Sequence, residues 1–577
     1  MILTINHIAH CRIITAAGCD SVTRYAAEEL ARWLGEISGA AFTIATDDMP
    51  AQEHDILVGE NNRTVKFTAR SNTLPKEGYF YCTDEGNLVF GGRGRGLLYG
   101  VYAFLEDELG IRFFSPDVTH VPKRSVIEIG ELNRSDAPVM EYREPSISEC
   151  RNTEYAVRRR VNGSFRRSSV EKYGGGVGYA DGYFVHTFTK LLPPDQYFDT
   201  HPEYYSEING VRIREKTQLC LSNPDVLELV KSRVLEELRK QPEATLFSVS
   251  QDDNYNGCTC EKCRAADLEE GSMAGSMIRF VNAVAEAVEP EFPDVVIDTL
   301  AYQYTRKPPK FVRPRHNVSV RLCSIECCFV HPLRDCRSDD PDAPNIDLSQ
   351  PFAEDLIGWG KICSRLYIWD YVTYFSHFWM PHPNFHVLAD NVRFFAENGV
   401  KGVFEQGCAS QGGGEFTGLR SYLISKALWN PNLNEDLVID EYLAGVYREA
   451  APYMRRYLEE VYNAVIESGC HLYCFNHPDK PWHTMALVER CEKIFDEAEK
   501  IAGSEEILLR VQKQRLAVRY LRILLTPKGT AERNALIDAF EPDAKNFGLT
   551  MIWERKDMDF CLRVLRGEED PGYWWTK

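Results

Sequence analysis

Leu246-Phe-Ser-Val-Ser250, running directly into Gln251-Asp-Asp-Asn254, is the stretch on which the fold turns. A short apolar run that ends in a polar cluster has the length and composition of a buried strand opening onto a polar mouth. Similar runs flank it. Upstream lie Ser146-Ile-Ser-Glu149, Tyr183-Phe-Val-His186 and Gln218-Leu-Cys-Leu221; downstream lie Val295-Val-Ile-Asp-Thr-Leu-Ala301, Val318-Ser-Val-Arg-Leu-Cys323, Arg365-Leu-Tyr-Ile-Trp369 and Gly402-Val-Phe-Glu405. Helical apolar spacing fills residues 225–239, 276–288 and 385–398 between them. Eight strands with helices between them predict a (β/α)8 TIM-type barrel over residues 136–430, with an open doubly wound sheet as the alternative.

On either side the rhythm differs. Residues 1–135 read as a small α/β accessory domain. Arg12-Ile-Ile-Thr15 and Asp55-Ile-Leu-Val58 are strands. Ser21 is the expected cap of a helix with Ala27, Leu30, Leu34 and Ile37 on its apolar face, and Gly39 ends it. Residues 78–82 and 87–92 form a hairpin. Gly91-Gly-Arg-Gly-Arg-Gly96 then opens a helix that runs into Ile111-Arg-Phe-Phe-Ser-Pro116. A dinucleotide loop needs a βαβ unit and a ribose-binding acid about 20 residues on. Here the helix leads to a Phe-Phe-Ser-Pro turn instead, so the glycines are read as a tight strand-to-helix turn, with nucleotide binding as the alternative. After Asn430-Pro431 helical spacing dominates, predicting a helical C-terminal domain over 431–577.

The composition, 44% hydrophobic and 26% charged, is that of a folded globular chain. A net charge of −19 argues against a nucleic-acid binder, whose affinity comes mainly from Lys and Arg, and it disfavours an anionic membrane. No apolar run approaches a membrane span and no signal peptide is visible. The 18 scattered cysteines suit a reducing cytoplasm, a secreted protein with its leader removed being the alternative.

In a barrel, residues just past the strand ends converge on one mouth. That rule selects Arg151, His186, Asp252, Asp253, Tyr302, Gln303, Tyr304, Glu326, Trp369, Asp370, Tyr371 and Glu405. Acids on four strands facing one cavity are suited to glycoside cleavage, which needs one protonated carboxyl and a second group to stabilise the oxocarbenium centre. The plainer reading makes several of these acids ion-pair partners of Arg143, Arg151 or Arg321. The aromatic run from Trp369 to Trp379 offers faces for sugar stacking, or else packs beneath the C-terminal helices. Cys258-Thr-Cys-Glu-Lys-Cys263 has the spacing for three thiolates of a structural zinc, with a fourth ligand from elsewhere; the alternative is reduced thiols or a local disulfide. The chemistry itself requires no cofactor.

Two resemblances join these readings. The run from Gly91 to Pro116 resembles the small domain that precedes the barrel in β-hexosaminidases and α-glucuronidases. Ser248-Val-Ser-Gln-Asp-Asp-Asn254, the Cys258–Cys263 loop, Asp298-Thr-Leu-Ala-Tyr-Gln-Tyr304 and Arg321-Leu-Cys-Ser-Ile-Glu-Cys-Cys-Phe329 together resemble domain of unknown function 4838, later glycoside hydrolase family 163. That resemblance implies an endo-β-N-acetylglucosaminidase acting on the chitobiose core of N-glycans, with the substrate acetamide assisting a retaining mechanism. It implies Asp253 as a principal catalytic carboxyl, Asp252 as the acetamide-orienting residue and Glu326 as the rival acid. An α-glucuronidase-like enzyme with Arg151 or Arg306 at the mouth is one alternative, and a non-catalytic glycan-binding barrel is another.

Overall fold

The computed structural model describes residues 1–165, 170–336, 351–475 and 478–572. Its centre is a curled, half-barrel parallel sheet of six strands: β1 (Tyr142–Ser146), β2 (Leu246–Ser248), β3 (Val296–Ala301), β4 (Val318–Cys323), β5 (Leu366–Tyr371) and β6 (Val400–Gln406). Their spatial order is β1-β6-β5-β4-β3-β2. Nearly every residue in them is buried on both faces, as a parallel sheet covered by helices requires. Helices Pro224–Lys240, Ala274–Val288, Phe352–Ile362, Phe385–Glu397 and Thr417–Trp429 follow or separate the strands.

Two of the eight expected strands are absent. Residues 183–186 are irregular: they follow a turn closed by Tyr183 N donating to Ala180 O (2.9 Å), and His186 takes a left-handed φ of 55° before the short helix Phe188–Leu191. Residues 218–221 contribute only an antiparallel bridge between Leu219 and Tyr205. The apolar side chains that suggested strands there, Tyr183, Phe184 and Leu219, are buried as loop core instead. Backbone bonding between the sheet edges comes from unexpected places. Gly163 N donates to Arg143 O (3.2 Å), Val177 N donates to Asn162 O (2.9 Å), and isolated parallel bridges join Gly163 to Val177 and Tyr179 to Leu246.

The N-terminal residues form a second six-stranded sheet in the order 133–136, 79–84, 87–92, 55–58, 12–15, 44–46. The helix Ser21–Ser38 is capped by Asp20, whose carboxylate accepts from Thr23 N (2.8 Å), one residue before the expected Ser21; Gly39 ends it in the left-handed conformation. The glycine run is indeed a tight turn. A Cβ on Gly92 would lie 2.2 Å from Leu97 N, and one on Gly96 would lie 2.0 Å from Gly78 O. Buried ion pairs join this sheet's helices and loops to the central region: Arg143 to Glu77 (2.6 Å), Arg159 to Glu106 (2.7 Å) and Arg160 to Glu106 (2.9 Å).

Beyond Trp429 lie the helices Glu435–Tyr447, Ala451–Ser468, Met485–Ile501, Glu505–Leu525, Ala531–Asn546 and Met558–Arg566, with a small hairpin of Met551–Trp553 and Lys556–Asp557. Among the described residues no helix is long and apolar enough to cross a membrane.

Candidate active site

The carboxyl ends of β2 to β6 carry the polar residues selected from the sequence. After β2, Gln251 is fully buried and acts as a strut: its Nε2 donates to Tyr302 O (3.0 Å) and its Oε1 accepts from Thr305 Oγ1 (2.6 Å). That strut ties the loop after β2 to the loop after β3. Asp253 is exposed and accepts a hydrogen bond from the Tyr302 hydroxyl at 3.0 Å. Tyr302 is otherwise buried, and burial together with the charges of Asp253 and Glu326 raises its pKa. Asp253, Tyr302 and Glu326 therefore share one electrostatic neighbourhood.

Glu326 follows β4. It is 1% exposed, and neither carboxylate oxygen has a hydrogen-bond partner among the described residues. The Arg306 guanidinium stands 3.7 Å away, held by Asp355 at 2.7 Å. Burial pushes the Glu326 carboxyl up to about 7, and Arg306 opposes that shift.

Asp370 and Glu405 are Cα partners at the ends of β5 and β6. Both side chains are buried; Ser324 Oγ donates to Asp370, and Glu405 Oε2 has no partner among the described residues. Burial raises Asp370 to about 6, and burial followed by the charge of Asp370 raises Glu405 well above the usual range.

Other selected residues point elsewhere. Asp252 Oδ2 accepts from the backbone N of Thr189 (3.0 Å), and the side chain lines a separate open cleft of about 280 Å³ with Arg214, Lys216 and Asn254. Burial raises its pKa. Tyr304 lies in the field of Asp252 and Cys258 and packs beside Gly257. His186 bridges the two groups: its Nδ1 hydrogen-bonds with Gln251 O (2.8 Å) and its ring lies 6.2 Å from that of Tyr302. Gln303 is held at φ 54°, with its Oε1 unpartnered among the described residues. Arg151 is exposed at the β1–β6 side and donates to Ala409 O (3.0 Å).

The arginines weighed as partners of these acids are bound to other groups. Arg321 pairs with Asp298 (2.6 Å) inside the sheet, and Arg143 pairs with Glu77. Of the aromatic run, Trp369 is half-buried, stacks near Tyr371 at 6.3 Å and donates to Gln406 Oε1 (2.8 Å). Phe375, Phe378 and Trp379 are buried beneath the C-terminal region, where Phe378 N donates to Ile552 O (2.7 Å). The run is therefore mainly packing, with only its first residues at the mouth.

The Cys258–Cys263 loop gains a fourth thiol that the local spacing could not reveal. Cys220 joins Cys258, Cys260 and Cys263, all buried, with the four Sγ atoms within 4.8 Å of one another. Cys220 Sγ lies 3.7 Å from Cys260 Sγ and 3.9 Å from Cys263 Sγ. A zinc tetrahedron with Zn–S of about 2.3 Å has S···S edges of about 3.8 Å. The donor set fits structural zinc.

The family model described as "Domain of unknown function (DUF4838)" matches residues 113–459. The chain belongs to the DUF4838 family. No curated protein matches it. Among solved structures, this DUF4838 chain is similar to a family GH115 4-O-methyl-α-glucuronidase with specificity for decorated arabinogalactans. That match has a TM-score of 0.59 at 12% identity and covers 99% of this chain and 80% of that one. A β-N-acetylhexosaminidase from Bacteroides fragilis NCTC 9343 aligns with a TM-score of 0.38 at 10% identity, covering 75% of this chain and 90% of that one. At such identities the likeness to the glucuronidase is one of fold.

Proposed function

We propose that this chain is a glycoside hydrolase cleaving β-linked N-acetylglucosamine in glycans, such as the chitobiose core of N-glycans, with Asp253 as the carboxyl that meets the substrate. The observation that carries this reading is the Asp253–Tyr302 pair. An exposed carboxylate at the polar end of the parallel sheet is held in one orientation by a buried phenol. A proton donor must come within about 3 Å of the glycosidic oxygen. Asp253 is accessible for that, whereas Glu326 is only 1% exposed, with Arg306 3.7 Å away. Asp253 acts as acid and then base while the acetamide oxygen attacks the anomeric carbon; Asp252, expected to orient the acetamide, instead lines the separate cleft with Arg214 and Lys216. Trp369, Gln303 and His186 supply the surrounding sugar contacts, whereas Asp370, Tyr371 and Glu405 are buried at the strand ends and Tyr304 and Arg151 lie with other groups. The mouth lies at the carboxyl ends of the curled half-barrel sheet, whose edges are joined only by isolated bridges at Gly163, Val177 and Tyr179. Cys220, Cys258, Cys260 and Cys263 hold a structural zinc that braces the loop following Asp253.

The test is hydrolysis of aryl β-N-acetylglucosaminides and released N-glycans, with product analysis. Asp253→Asn is expected to lower kcat by about 100-fold or more on a poor leaving group, with a smaller loss for Glu326→Gln. A β-glucoside lacking the acetamide should not be cleaved. If both variants keep full kcat, the assignment fails.

The similarity in fold to the glucuronidase supports a second reading, an α-glucuronidase-like enzyme. Arg151 is the candidate partner for a sugar carboxylate, because Arg306 is already held by Asp355. Cleavage of an aryl α-glucuronide in place of the N-acetylglucosaminide would select it.

A further inference from the structure

A second cluster of soft ligands lies at the same end of the molecule. Cys328, His331, Cys336 and His471 bring two sulfurs and two ring nitrogens within 4.8 Å of one another. Cys328 Sγ is 3.3 Å from His331 Nδ1, and Cys336 Sγ is 3.6 Å from His471 Nδ1. The two imidazoles meet edge to face, with centroids 4.8 Å apart. Hydrogen bonds between thiols and imidazoles would account for each pair alone. They do not account for two pairs converging on one point. For a tetrahedral zinc with Zn–S of about 2.3 Å and Zn–N of about 2.0 Å, the S···N edge is about 3.5 Å. The observed separations are close to that edge.

The placement explains why a tie is needed here. Cys328, His331 and Cys336 belong to the loop that leaves β4 through Glu326, and His471 comes from the connection after helix Ala451–Ser468. That connection already touches the loop: Phe329 N donates to Leu472 O (2.8 Å) and Cys474 Sγ to Ile325 O (3.5 Å). It continues across to the loop after β5, where Phe375 N donates to Cys474 O (2.9 Å). Phe329, Val330 and Leu472 bury these segments in the main core, and a closed four-ligand metal site adds a fixed tie between them.

We propose that Cys328, His331, Cys336 and His471 form a Cys2His2 zinc site, separate from the four-cysteine cluster, that clamps the Glu326 loop to the C-terminal region. Two thiolates and two imidazoles in a closed set of four protein ligands select zinc and leave no position for substrate, so the site is structural.

Metal analysis of the purified full chain is expected to give two zinc per chain. His471→Ala and Cys336→Ala should each retain one zinc, as should Cys220→Ala. Cobalt substitution then separates the sites. The cobalt left in Cys220→Ala should show weaker thiolate charge transfer than the cobalt left in His471→Ala, because it has two thiolates instead of four. Should the variants fail to fold, the wild-type chain still decides the matter. Stripping zinc with a chelator should expose Cys328 and Cys336 to alkylation, mapped by mass spectrometry. The proposal is overturned if wild type holds a single zinc that Cys220→Ala removes. It is equally overturned if Cys328 and Cys336 are alkylated to the same extent with and without chelator.

Discussion

Asp370 and Glu405 face one another across the register of β5 and β6, two buried carboxyls at the polar end of adjacent parallel strands. In an unfolded chain both titrate near 4. In the fold Asp370 is raised to about 6 by burial, and Glu405 is raised by burial and by Asp370. The folded state therefore binds more protons than the unfolded state above pH 4, and its stability falls as pH rises. The contribution is fully present below about pH 4 and is lost as pH climbs through about 6. Glu405→Gln removes one of the two charges. It is expected to match wild type near pH 4 and to be more stable than wild type at pH 8. Denaturation from pH 4 to 8 measures this, and parallel curves for the two proteins would refute it.

Tyr302→Phe deletes the hydroxyl that donates to Asp253 and leaves the ring in place. Hydrogen bonds to charged groups contribute about 1.5–3 kcal/mol. If that bond orients Asp253 in the transition state, kcat should fall by about 10- to 100-fold with KM little changed. A rise in KM at constant kcat would make Tyr302 a sugar contact instead.

Gly96→Ala tests the strand-to-helix turn. The added Cβ would sit 2.0 Å from the backbone oxygen of Gly78, so a strand end or the helix start must move. A loss of about 1–3 kcal/mol or more is expected. Gly94→Ala is the comparison: its Cβ enters open space, and only the left-handed φ of 59° is strained, at about 1 kcal/mol. Equal losses in chemical denaturation would mean that backbone strain, and not the close approach, makes glycine necessary here.

These positions also show which features the sequence could reveal. Leu366–Tyr371 was readable because a parallel strand buried on both faces is a largely apolar run ending in polar groups, and Val318–Cys323 was readable from Val318, Val320 and Leu322 although Ser319 and Arg321 interrupt it. The pairing of Gly163 with Val177 was not, because it is one isolated bridge and Val177 follows Gly174-Gly-Gly176, where no side-chain pattern exists. Tyr183 and Leu219 misled because apolar residues in a buried loop look the same as residues in a short strand. Asp253 and Glu326 were legible as strand-end acids. Their difference in exposure depends on Tyr302, Arg306 and Asp355, contributed by other segments. Cys220 was hidden for a similar reason: the Tyr205–Leu219 bridge, and not chain spacing, delivers it to the Cys258–Cys263 loop.

Inside the sheet, Arg321 is fully buried, bonded to Asp298 at 2.6 Å and to Phe184 O at 2.6 Å. Its guanidinium lies 5.0 Å from the Tyr179 ring, 4.4 Å from Phe184 and 5.1 Å from Trp369. Ser319 Oγ donates to the other oxygen of Asp298 (2.8 Å). The pair thus links β3 and β4 to the segment around Tyr179 that lies between the sheet edges. Removing one partner from a buried ion pair leaves an uncompensated charge, at a cost of about 3–5 kcal/mol. Asp298→Asn is therefore expected to be strongly destabilising. Arg321→Met should also destabilise, through the orphaned Asp298 carboxylate. The double variant Asp298→Asn/Arg321→Met should recover much of the loss, because neither charge then remains buried. A double-mutant cycle in chemical denaturation gives the coupling directly. Additive losses would show that the aromatic rings, and not Asp298, compensate the arginine.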